Sequence, residues 1–242
     1  MRHLLLGATM LAAAGATPAH ATLQLAANIG GDEFFCADNT ACDANPTVGV
    51  INTNPVTLDG ISFTSTSAAA ASGSIDFLNS ASLLITNTNS VPVKIVITVS
   101  QIGFTAPVNK FSDADSGVWQ GSAASSAVLK WFIDPANAQG AVDSTSTPGT
   151  LVDTSASTAS FPVLGFSRTD STILDALASP YSMTEQASIT LGAGESLVNR
   201  GQSIIGAEAV IPETSTWAMF GLGLAAMALV TRKRKSLSRN IA

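Results

Sequence analysis

Short apolar runs, many alternating with polar residues and separated by Ser, Thr, Asn, Asp and Gly, fill the chain from Thr22 to Ile211. Leu23, Leu25 and Ile29 fall at even spacing, the period of a strand with one buried face. Val93-Lys94-Ile95-Val96-Ile97-Thr98-Val99 is β-branched at nearly every position and reads as a strand. Its phase slips before Ile102 and Phe104, which places a β-bulge near Ser100-Gln101. Ser82 to Thr86 reads as a strand upstream, and Asn87-Thr88-Asn89-Ser90 supplies turn residues, so the two are expected to form a hairpin. Val128 to Ile133 is a further strand, closed by the turn Asp134-Pro135-Ala136-Asn137. Ser160 to Phe166, Met183 to Leu191 and Gln202 to Val210 complete the set, while Thr172 to Ala178 carries the one helical hint. Ser65–Ser74 and Ser144–Ser160 read as loops. Strands at intervals of roughly ten to twenty residues without helical periods predict an all-β body, an antiparallel β-sandwich.

Both ends break this pattern. Met1-Arg2-His3, an apolar run from Leu4 to Ala16, and Ala19 and Ala21 at the −3 and −1 positions are the parts of a secretory signal peptide. Cleavage after Ala21 leaves Thr22 as the new terminus; the alternative is an uncleaved anchor helix, for which the run is short. Trp217 to Val230 is unbroken apolar sequence with Gly221 and Gly223 inside it, followed by Thr231 and Arg232-Lys233-Arg234-Lys235. As a helix, Thr214 to Thr231 would rise about 27 Å, enough for a thin bilayer. Trp217 then marks one interface, and the basic block stays cytoplasmic with the body outside. The expected organisation is a signal peptide over 1–21, a body over 22–205, a Ser/Thr linker with a Pro-Glu motif over 206–216, and a transmembrane helix with its basic end over 217–235.

Only 12% of the 242 residues are charged, about half the usual share. Six of the 11 basic residues and one of the 17 acidic ones fall in the two ends. Residues 22–211 therefore carry five basic and 16 acidic residues, a net of −11. A body of that charge repels phosphate backbones, which excludes nucleic acid as a partner.

The tail resembles a PEP-CTERM sorting signal, read in bacteria by membrane-embedded exosortases. The likeness runs from Pro212 to about Lys235 and rests on Pro212-Glu213, Trp217, the glycine-containing apolar helix and the basic end in that order. Thr214 stands where the name-giving motif has a second proline. The resemblance implies that the tail is a substrate, recognised and cut near Pro212-Glu213, with secretion machinery and an exosortase as partners. It also implies delivery from the inner membrane to the cell surface or extracellular matrix, where exopolysaccharide and biofilm are the family's associations. The segment Phe34-Phe35-Cys36, Asp38-Asn39, Cys42-Asp43, Asn45-Pro46 and Gly49 is similar to an amino-terminal pattern in such secreted proteins, and implies a β-rich domain without assigned activity.

The chemistry open to the body is narrow. The two histidines, His3 and His20, lie in the signal peptide, so the mature body would have no histidine base, triad or histidine-bound zinc. Cys36 and Cys42, an isolated pair in an exported chain, read as a disulfide closing a small loop. Cofactors are expected to be absent, with calcium as the one candidate. Asp113-Ala114-Asp115-Ser116-Gly117 has alternating oxygen ligands before a glycine, and Asp38, Asn39, Asp43 and Asn45 surround the cysteines. Ordinary Asx turns are the competing reading of both. Trp119, between Gly117 and Gly121, is expected in a loop where it could stack on a sugar; Trp131 is expected in the core. The expectation is a non-enzymatic surface or matrix protein. The alternatives are a carbohydrate- or calcium-binding module, and a glycan-cleaving enzyme built on two facing carboxylates.

Overall fold

The computed structural model describes residues 22–73, 75–106, 108–121, 125–140, 147–160, 164–199 and 203–208. The signal-peptide residues Ala19 and Ala21, the sorting residues Pro212, Glu213 and Trp217, and the basic block Arg232, Lys233, Arg234 and Lys235 lie outside the described residues. The described part is all-β. Its strands are β1 Leu23–Ile29, β2 Asp32–Ala37, β3 Val50–Thr53, β4 Val56–Leu58, β5 Ile61–Ala71, β6 Asp76–Asn87 and β7 Val93–Phe104. They continue as β8 Val108–Gln120, β9 Ser126–Asp134, β10 Thr150–Thr158, β11 Gly165–Leu177, β12 Tyr181–Leu191, β13 Ser196–Asn199 and β14 Ser203–Glu208.

Two antiparallel sheets result. One runs β10-β9-β12-β7-β1-β2, the other β11-β8-β13-β6-β5-β3, with β14 pairing β6 and β8 and β4 pairing β5. The period-two pattern explains the packing. Leu23, Leu25, Ala27 and Ile29 of β1, Ile95, Ile97 and Val99 of β7, and Leu129, Trp131 and Ile133 of β9 join one core with Ile61 and Phe63 of β5, Leu78 and Ile85 of β6, and Phe111 of β8. Trp131 is fully buried, as its mid-strand position predicts.

Three local expectations need correction. Strands β6 and β7 do not form a hairpin; they belong to different sheets, and residues 88–92 carry the chain between them. Asn87 makes that crossing possible: its buried amide donates to the carbonyls of Val91, Leu191 and Gly192. The bulge expected near Ser100-Gln101 is present directly after Gln101, between the pairs Met183↔Gln101 and Tyr181↔Phe104, where Gly103 takes φ 81°. Ser65–Ser74 and Ser144–Ser160 are largely strand rather than loop, in β5 and β10, because hydrogen bonding to β6 and β9 outweighs weak local preference. Thr172–Leu177 is strand for the same reason, paired to β8, and no helix occurs among the described residues.

Candidate functional site

One set of polar side chains converges at a corner of the body. In β8 the inward positions are Phe111, Asp113, Asp115, Gly117 and Trp119, every second residue of a strand. Register then sets their neighbours on β11, with Asp170 opposite Asp113 and Arg168 opposite Asp115. The facing sheet contributes Asp153 and Ser155 from its edge strand β10. Arg168 joins the layers: its Nη2 lies 2.6 Å from Asp153 Oδ2 and 2.6 Å from Asp170 Oδ2, and its Nη1 lies 3.4 Å from Asp113 Oδ1. Ser155 Oγ donates to Asp115 Oδ2 at 2.8 Å. Three carboxyl groups thus share one guanidinium, and the fourth, Asp115, feels its charge.

Their environments pull their acidities apart. Burial pushes Asp113 up to about 7, and the neighbouring Asp153 adds to the rise through its charge and its hydrogen bond, against the pull of Arg168. Burial also raises Asp115, against its bond from Ser155 and the charge of Arg168. Burial opposes ionisation of Asp153 too, but hydrogen bonds from Arg168, the Thr154 amide and Asp113 together hold it below the usual carboxylate range. Arg168 is held above its ordinary value, chiefly by its bond to Asp153. Below about 7, Asp113 is the carboxyl that holds a proton and Asp153 the one that stays ionised. Such a split is the raw material of acid–base catalysis. Glycoside cleavage, however, needs carboxyls about 5–10 Å apart on either side of the scissile bond, whereas Asp113 and Asp153 are bridged by the one Arg168 guanidinium.

The sequence-derived candidates separate into distinct places. Cys36 and Cys42 form a disulfide with Cα atoms 5.7 Å apart. Asp43 is engaged by backbone: Oδ1 accepts from Asn45 and Asn52, and Oδ2 from Asn39. Asp38 Oδ2 accepts from the Gly49 amide at 2.8 Å. The Asx-turn reading therefore describes this loop. Asp113 and Asp115 lie on a strand, not in a calcium-type loop, and point into the sandwich. Among the described residues no three acidic, cysteine or histidine side chains form a metal-holding group. Thr22 directly precedes β1.

Trp119 is a correction. It is not in an exposed loop but in β8, 2% exposed, with its ring 5.6 Å from that of Phe166. Gly117 signals that contact rather than a turn, since a Cβ there would meet the Phe166 ring at 2.7 Å.

Sequence reasoning missed Asp153, Arg168 and Asp170, which become neighbours only through pairing across strands and sheets. It also missed a second joint. Asp76 on β6 accepts from Tyr181 Oη at 2.8 Å, from the Ala106 amide at 2.8 Å and from the Gly73 amide at 2.9 Å. A further buried acid, Glu185 on β12, meets Ser80 Oγ on β6 at 2.5 Å beside a cavity of about 30 Å³. That volume holds about two waters.

No family model and no curated protein matches the chain. Among solved structures it is similar to TmCBM61 in complex with β-1,4-galactotriose, with TM-score 0.31, 6% identity, 57% of this chain covered and 85% of that one. It is also similar to the enzymatically active domain of bacteriophage CBA120 tailspike protein 4, with TM-score 0.29 and 9% identity, covering 60% of this chain and 19% of that one. Likeness at this level carries no argument about ligand or chemistry.

Proposed function

We propose that the chain is an exported bacterial surface or extracellular-matrix protein with a non-enzymatic β-sandwich body, sorted by its tail. In this reading the signal peptide directs secretion and ends before Thr22. The tail holds the precursor in the inner membrane, and an exosortase acts near Pro212-Glu213. The body then stands at the surface, in contact with extracellular polysaccharide. The observation that supports export most is the Cys36–Cys42 disulfide, a bond that persists in oxidising compartments and is rare in the cytosol. The placement of the body's buried carboxyls supports a structural role: those of Asp76, Asp113 and Asp115 are spent on tying strands and sheets together.

The reading is tested by fractionating cells that express the full chain or its Glu213→Ala and Trp217→Ala variants. The expected result is wild-type body at the surface or in the medium, with both variants retained in the membrane at precursor size. Wild-type protein found in the cytosol with Cys36 and Cys42 reduced would overturn it.

A further inference from the structure

The corner built by β8, β10 and β11 lies where both sheets end, since β10 and β11 are each paired on one side only. The two edge strands belong to different sheets. Among the described residues, every ion pair between them and β8 passes through Arg168. Asp113 is 5% exposed and Asp115 2%, so neither reaches water freely. Asp115 Oδ1 has no hydrogen-bond partner. The groups facing Asp113 are Asp115 on its own strand, Arg168 and Asp170 on β11, and Asp153 on β10. In register, β14 places the apolar Ile205 opposite it. One guanidinium among four carboxyls balances their charge poorly unless at least one carboxyl is protonated.

We propose that this corner is a proton-operated clasp: a proton shared between Asp113 and Asp153 holds edge strand β10 against the facing sheet, and its loss frees β10 to open. With the proton in place, Asp113 donates to Asp153, and Arg168 has to compensate fewer negative charges. Without it, Asp113 and Asp153 repel across the gap between the sheets, and Arg168 is drawn to the partly exposed Asp170. Among the described residues no ion pair joins the sheets elsewhere; β12 and β6 are joined by Tyr181 and Asp76, whose acceptor oxygens are filled by neutral donors.

The sign follows from proton binding. Asp113 titrates near 7 in the closed corner and near its ordinary 3.8 once opened, so the closed state holds the extra proton between those values. Closure is strongest on the acid side and fades as pH rises toward 7. Asp115, also raised by burial, acts in the same sense.

Hydrogen exchange on the full chain, corrected for the intrinsic pH dependence of amide exchange, tests the clasp. Protection of β10 amides is expected to fall on the order of 100-fold between pH 5 and pH 7.5 and then level off, while β1 and β7 hold theirs. Asp113→Asn, an isostere of the protonated acid, is expected to keep β10 protected at both pH values. Asp153→Asn, which removes the repelling neighbour, should move the fall to lower pH and serves if the first variant does not fold. Protection of β10 that ignores pH, or a fall shared equally by β7, would overturn the clasp, as would a fall that both variants leave unchanged.

Discussion

Two buried aspartates tie the same two sheets together, and they do it in opposite ways. Asp76 is surrounded by neutral donors: two backbone amides and the hydroxyl of Tyr181 all point at its oxygens. Asp113 is surrounded by other charges, three of them also carboxylates, with one arginine to share. Burial is comparable, at 0% and 5% exposure. The difference teaches that depth alone does not decide what a buried acid does. An acid whose lone pairs are filled by fixed donors is a structural rivet. One that competes with like charges for a single cation becomes a group that answers to pH.

The comparison can be broken from either side. Asp76→Ala strands the amides of Gly73 and Ala106 and the hydroxyl of Tyr181, so chemical denaturation should show a loss of about 3–5 kcal/mol. Asp113→Asn should do the reverse at alkaline pH. Because the folded-state value of Asp113 lies above its unfolded one, its contribution is full below about 4 and is lost as pH rises through about 7. The variant should therefore match wild type near pH 4 and exceed it by about 2–4 kcal/mol at pH 8. Denaturation curves at the two pH values provide the check; equal stabilities at pH 8 would put Asp113 in the same class as Asp76. Asp153 has the opposite sign, its contribution being lost only as pH falls below the ordinary carboxylate range.

Smaller effects sharpen the contrast further. Reducing Cys36–Cys42 releases a short loop that contributes no side chain to either joint, and should cost about 2 kcal/mol at any pH between 5 and 8. Tyr181→Phe removes one of three donors to Asp76, a cost of about 1–3 kcal/mol that should likewise be flat in pH over that range. Tyr181 itself is pushed above its ordinary value by burial and by Asp76, so it stays protonated throughout.

Much of the fold is legible in the sequence. The even spacing of Leu23, Leu25 and Ile29 identifies β1, which turns these residues to the core, and the β-branched run at 93–99 identifies β7, which is buried on both faces from Ile95 to Gln101. The pairing partners were not legible, since register and sheet membership are set across the whole body. The five residues after Asn87 look like a turn within one sheet and are instead a crossing between two. Small-residue strands such as β5 and β10 were hidden for a related reason: Ser, Thr and Ala have little strand signal alone and become strands by pairing. At the candidate corner, Asp113 and Asp115 stood out by their spacing, but that spacing meant a strand face rather than a loop of ligands. Asp153, Arg168 and Asp170 carried no local signal, because the corner exists only once three strands meet. Trp119 misled for a similar reason, its flanking glycine serving a close ring contact.

In the proposed function the β-sandwich body is the part that leaves the cell. Intact-mass analysis of the mature protein recovered from its native host tests this most directly. The expected result is a single product beginning at Thr22 and ending near Pro212, lighter by two hydrogens for the Cys36–Cys42 bond. A mature chain that keeps the segment from Trp217 to Lys235, or that carries two free thiols, would contradict it.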